Sequence, residues 1–247
     1  MPSAYWGAGQ AQSLFLPQTW QEGMLLFGYG VLFIFLLFRD RLHLQQFSLR
    51  KWIGWLTLGV LALIAGQLFP VSIDPISLPL TPEKGDPFTV SLLAAVPSLL
   101  AGIILGPGPA LLVGMSAGLG RALSRSHQIY DLFHYAFAAW LAACMLHIRY
   151  GDRMYAALRL PVISGALSQS AIAIMAGFVV FFLSSELGLL GRLDMALAES
   201  LRSVVPLFIE GLFGGLVVVL IVLVMPAWRT GKDLIPGPSQ RSVQHYL

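Results

Sequence analysis

Charge is what this 247-residue chain has least of: 15 Lys and Arg and 12 Asp and Glu make up 11% of it. An ordinary soluble domain carries about 25% charged residues, with roughly 45–50% apolar ones. Here the apolar set reaches 57%, and the mean hydropathy is +0.77. A sphere of this size could not clothe itself in so few charges. That excludes a soluble enzyme and a disordered regulator. It also excludes a basic nucleic-acid binder, despite a pI near 9.2. Cysteine is almost missing too. A lone Cys144 excludes a disulfide framework and any cysteine-rich zinc or iron–sulfur site. No repeat is visible at 20–50-residue periods, and the first 23 residues lack the basic start of a cleavable leader.

What is present is long apolar runs. They cover 24–38 (beginning near Trp20), 52–69, 88–105, 110–123, 130–148, 160–183 and 204–225. A helix crosses the hydrocarbon core with about 20 residues, or about 17 with snorkelling flanks. The expectation is therefore an all-α, polytopic membrane helix bundle of about seven spans, the fourth short and rich in glycine. A barrel would read as short alternating strands instead. Cation placement orients the spans. With the N-terminus outside, the inner side takes ten cations: Arg39, Arg41, Arg50, Lys51, Arg149, Arg153, Arg159, Arg229, Lys232 and Arg241. The outer side takes five: Lys84, Arg121, Arg125, Arg192 and Arg202. This places the C-terminus in the cytoplasm and the protein in the inner (cytoplasmic) membrane, as a multi-pass chain.

The chain divides into a two-span segment (1–69), an extracytoplasmic proline-rich loop (70–87), a five-span membrane domain (88–225) and a cytoplasmic tail (226–247). Within 186–202, Leu189, Leu190, Leu193, Leu197 and Leu201 recur at helical intervals, between Arg192, Asp194 and Glu199. This predicts an amphipathic helix lying on the outer surface. Gly102 and Gly106, Gly114 and Gly118, and the group Gly211, Gly214 and Gly215 thin one face of their spans. Small residues let backbones approach where lipid supplies no hydrophobic push. Packing within the chain is the plain reading, with a homodimer contact or a ligand cleft as alternatives. Whether Gly106-Pro107-Gly108-Pro109 separates two spans or turns a re-entrant hairpin is open.

Ionisable side chains inside spans are expensive and by default functional. Glu210 sits seven residues into the last run, about 9 Å deep at 1.5 Å per residue. Arg121 closes the fourth run, and Asp131 and His134 open the fifth on one helical face. The topology places all four at similar depth on the outer side. Two readings follow: they line one polar pocket for a small-molecule ligand, with His134 as a pH-sensitive contact, or they pair to hold helices in register. Gln169, midway along the sixth run, is the other side chain able to reach across. The histidines show no metal-ligand spacing, and neither HExxH nor a Gly-x-Ser-x-Gly elbow occurs. No enzyme activity, metal or cofactor is expected, and no nucleic-acid partner.

The stretch from Leu99 through Gly102, Gly106-Pro107, Gly114 and Gly118 to Arg121 resembles the G-x-x-x-G-P…G-x-x-x-G…R pattern of LytS-type five-transmembrane sensor regions. A similar pattern occurs in substrate-binding components of energy-coupling-factor transporters. The resemblance is strongest over about 35 residues and extends over 88–225; the first two spans lie outside it. It implies a sensory input region that feeds a cytoplasmic kinase, cyclase or phosphodiesterase, on the same chain or as a partner protein. The tail 232–247, with its Pro-Gly-Pro-Ser composition, reads as the linker where such a part attaches. The second expectation is a solute-uptake component. Its small-residue docking face near the N-terminus is not what the Leu- and Phe-rich first run offers.

Overall fold

The computed structural model describes residues 17, 19–40, 49–73, 88–148 and 153–225. Most of the loop 70–87, the tail 226–247 and the cations Arg41, Lys84, Arg149, Arg229, Lys232 and Arg241 lie outside the described residues. The chain is mostly helical: α1 (Trp20–Arg39), α2 (Leu49–Ala65), α3 (Ala95–Leu105), α4 (Pro107–Arg121), α5 (Tyr130–Leu146), α6 (Arg153–Leu158), α7 (Pro161–Leu183) and α8 (Leu189–Val224). Three of these, α1, α7 and α8, are long and apolar enough to cross a membrane. Their outward faces carry large apolar side chains with nothing over them, such as Phe27 (73% exposed) and Ile174 (71%). Patches of that kind do not persist against water.

Local chemistry sets the helix boundaries. Thr19 caps α1, its Oγ1 accepting from the Glu22 amide at 3.3 Å, and the carboxylate of Glu22 and the cation of Arg39 complement the helix dipole at its two ends. Proline opens α4 and α7, where its missing N–H costs nothing. Between α3 and α4 the chain turns on Gly106, at φ 98° and ψ −177°. That region is essentially closed to residues with a Cβ and costs others about 1–3 kcal/mol. Gly106 therefore serves as a turn, with open space where a Cβ would be, and not as a packing contact. After α4 a π-helical turn, Ala122–Ser126, ends with His127 in the left-handed region.

Two further expectations need correction. The bundle is not purely α: Pro70–Ile73 (β1) pairs antiparallel with Phe88–Ser91 (β2), Pro70 opposite Ser91. The third apolar run thus yields its first four residues to a strand, because Phe88 and Val90 find partners in Ile73 and Val71. The amphipathic segment is not a separate surface helix either. It continues into the last run as one helix of 36 residues, Pro206 included. Its predicted leucine stripe is uncovered, with Leu190 81% exposed.

The helices pack through missing side chains. Gly114 lies against Ala139 and the Tyr135 carbonyl, Gly118 against the Asp131 carbonyl, and Gly102 against Ala143. Gly211 faces Gly165, Gly214 faces Ala95, and Gly215 faces Pro161 and Val162. Gly120 and Gly66 do the same between α2 and α4, against Leu63 and Ala117. The bundle has two distinguishable ends. At one, the Tyr130 hydroxyl donates to the Glu22 carbonyl at 3.1 Å. At the other, the Trp140 indole donates to Asp40 Oδ2 at 2.7 Å, with the Arg39 guanidinium 4.8 Å from the Trp140 ring centre.

Candidate functional site

Arg121, the last residue of α4, organises the first of these ends. Gly118 and Gly120 bring its helix against α5 and α2, and Arg121 is left inside, 8% exposed. Its Nη2 donates to the Thr89 carbonyl of β2 at 3.0 Å, and its Nη1 to the Tyr135 hydroxyl of α5 at 3.0 Å. Nε stands 3.5 Å from Asp131 Oδ2, and Nη1 stands 3.6 Å from Glu210 Oε2. One planar fork thus reaches a strand and two helices at once, a task suited to arginine and not to lysine.

Glu210 is completely buried in α8. Its Oε1 accepts from the Tyr135 hydroxyl at 2.9 Å, and its Oε2 accepts from the Ser91 amide at 3.3 Å. Tyr135 therefore relays between the cation and the carboxylate, accepting from one and donating to the other. Ser91 is fixed in turn by its Oγ, which donates to the Gly66 carbonyl just beyond α2 at 2.9 Å. Buried charges are tolerated only when paired and hydrogen-bonded in this way.

His134 lies one step further out. Its Nδ1 is 3.7 Å from Asp131 Oδ1, and its ring meets Tyr29 of α1 edge-on at 5.5 Å between centres. It is 1% exposed, and neither ring nitrogen makes a hydrogen bond among the described residues. The structure thus brings Arg121, Asp131, His134 and Glu210 together. Gln169 is equally buried, but on α7; its Oε1 has no hydrogen-bond partner among the described residues.

Sequence reasoning missed Tyr135, Ser91 and Thr89. Tyr135 was accessible as the residue one helical turn after Asp131, on the same face. Thr89 and Ser91 contribute backbone groups from a strand hidden inside an apolar run, and no residue type signals that. A cavity of about 540 Å³ lies elsewhere, between α1 and α7, lined by Trp20, Met24, Leu32, Phe178, Phe182 and Arg192 among others. No group of His, Cys, Asp and Glu suited to a metal ion occurs among the described residues. Comparison of the chain with protein-family models, with curated proteins and with solved structures finds no match.

Proposed function

We propose that the chain is a membrane-embedded sensory module, which binds a small ligand or reads the state of the membrane and relays the change to the cytoplasm along α8. The observation that carries this reading is the position of Glu210. It lies in the middle of a 36-residue helix and is tied through Tyr135, Arg121 and Ser91 to α5, α4 and β2. Rearrangement of those pairs has to be taken up by α8, and a two-state element biased from one site is the physical basis of relay. In this proposal the seven apolar runs each supply a crossing, α3 and α4 being short helices within theirs, and the cluster lies on the extracytoplasmic side. The outward Phe27, Phe35 and Phe38 of α1 favour the sensory role over an uptake component, which needs a small-residue docking face.

Two measurements test this. In a Cys144→Ala background, Leu187→Cys is expected to react with an impermeant maleimide on intact cells, and Gly231→Cys only after permeabilisation. The reverse pattern overturns the topology. Thermal unfolding of the full chain in micelles, against a panel of small anionic and cationic metabolites, tests the sensing element. At least one compound is expected to raise the Tm of the wild type and leave that of Glu210→Gln unchanged, while the variant still melts cooperatively. A panel in which nothing distinguishes the two proteins overturns the role given to the cluster.

A further inference from the structure

The groove between α1 and α7 meets the ion-paired cluster at Tyr29 alone among its lining residues, and its chemistry is different. Along α1 it runs from Trp20 to Leu32, twelve residues and therefore about 18 Å. The hydrocarbon core is about 30 Å thick, so the groove is close to one leaflet deep. Its walls are carbon: Met24 and Leu25 on one side, Phe178 and Phe182 on the other, the two phenyl rings packed edge to face at 4.8 Å. It opens outward, since Met24 is 64% and Phe178 52% exposed. Its width comes from Gly28, where an added Cβ would meet nothing within 4 Å.

Polarity enters at one end. Trp20 and Gln21 begin α1 there, and Arg192 supplies the one cation among the groove's lining residues. Arg192 is held in place by the turn before α8: its Nε donates to the Leu187 carbonyl at 2.8 Å, and its Nη2 donates to the Ser185 carbonyl. A tryptophan at the mouth is the usual mark of the headgroup level. A water-soluble ligand would leave these carbon walls unmatched, whereas an acyl chain matches them along the full length. A guanidinium at the headgroup level selects for phosphate and against a compensated zwitterion.

We propose that this groove holds one acyl chain of an anionic phospholipid, with the lipid phosphate against Arg192. The site rests on its own geometry and goes beyond the sensory reading, and its test reads binding alone. Tyr29 lines the groove and also touches His134, so groove and cluster share one ring.

The test is native mass spectrometry of the full chain in detergent, with equal amounts of phosphatidylglycerol and phosphatidylcholine added. The wild type is expected to retain phosphatidylglycerol over phosphatidylcholine by about tenfold, the scale of one hydrogen bond to a charged group. Arg192→Gln is expected to bring that ratio to about one on the same scale. Gly28→Leu fills the groove from a position where the backbone has room, and is expected to lower retention of both lipids with Tm unchanged. A preference that survives in Arg192→Gln overturns the proposal. So does undiminished retention in Gly28→Leu, or a lipid-free dimer whose α1 faces are mutually protected.

Discussion

Replacing Arg121 with Met is expected to lower stability by about 3–5 kcal/mol, the range for removing one partner of a buried ion pair. The size follows from what remains. Asp131 and Glu210 keep their carboxylates inside the bundle without the cation that stands 3.5 Å from one and 3.6 Å from the other. The Tyr135 hydroxyl loses its donor, and so does the Thr89 carbonyl. Arg121→Lys is expected to recover only part of the loss, since an ammonium cannot occupy three directions of a planar fork. The double variant Arg121→Met, Glu210→Leu is expected to be more stable than Arg121→Met alone, because it removes a stranded charge and substitutes apolar volume. Chemical unfolding in micelles measures all four proteins. A loss below about 1 kcal/mol in Arg121→Met, the value of an exposed pair, would show that the cluster is hydrated and not closed.

The second large effect is expected at glycines. Gly118→Ala drives a methyl into the Asp131 carbonyl, and Gly211→Ala drives one into the Gly165 carbonyl. Backbone cannot swing aside as a side chain does, so each is expected to cost about 1–3 kcal/mol through forced separation of the helices. Gly30→Ala provides the contrast. It sits in α1 with open space at the Cβ position, and is expected to be neutral or to stabilise by up to about 1 kcal/mol through helix propensity. Melting temperatures of the three variants are the check. Equal behaviour would mean that the close contacts of α4 with α5 and of α7 with α8 carry little of the stability.

How much of this was readable beforehand depends on what each residue type can signal. Arg121, Asp131, His134 and Glu210 stand out in the sequence because an ionisable group in an apolar run is costly, and their convergence followed from the alternation of runs. Tyr135 did not stand out, since it lies among Tyr130, Phe133, Phe137 and Trp140, and its hydroxyl looks like one more aromatic in the span. Ser91 and Thr89 were invisible for a stronger reason: their contributions are an N–H and a C=O, which every residue owns. The strand carrying them forms because β1 is positioned to pair with it, a tertiary circumstance that an apolar run of 18 residues (88–105) conceals. The unbroken α8 was missed because the change from the amphipathic pattern of 186–202 to the apolar run of 204–225 reads as two elements, yet one helix carries both, Pro206 included. Gln169 stands out for the same reason as the ionisable groups, and the structure buries it on α7 with its Oε1 making no hydrogen bond among the described residues.

The tie between Ser91 and Glu210 spans 119 positions, and that between Tyr135 and Glu210 spans 75, whereas Arg121 meets Tyr135 only 14 residues on. These separations set an order of assembly. Chains are made from the N-terminus, and local pairs close before distant ones. As α4 and α5 come together, Arg121 gains Asp131 and Tyr135, and the hairpin holds the Tyr135 hydroxyl without its acceptor until α8 arrives. The carboxylate that completes it rides on the last of the described helices to be synthesised. Docking of α8 therefore completes the cluster, since it brings the buried carboxylate of Glu210 to the Tyr135 hydroxyl and the Ser91 amide.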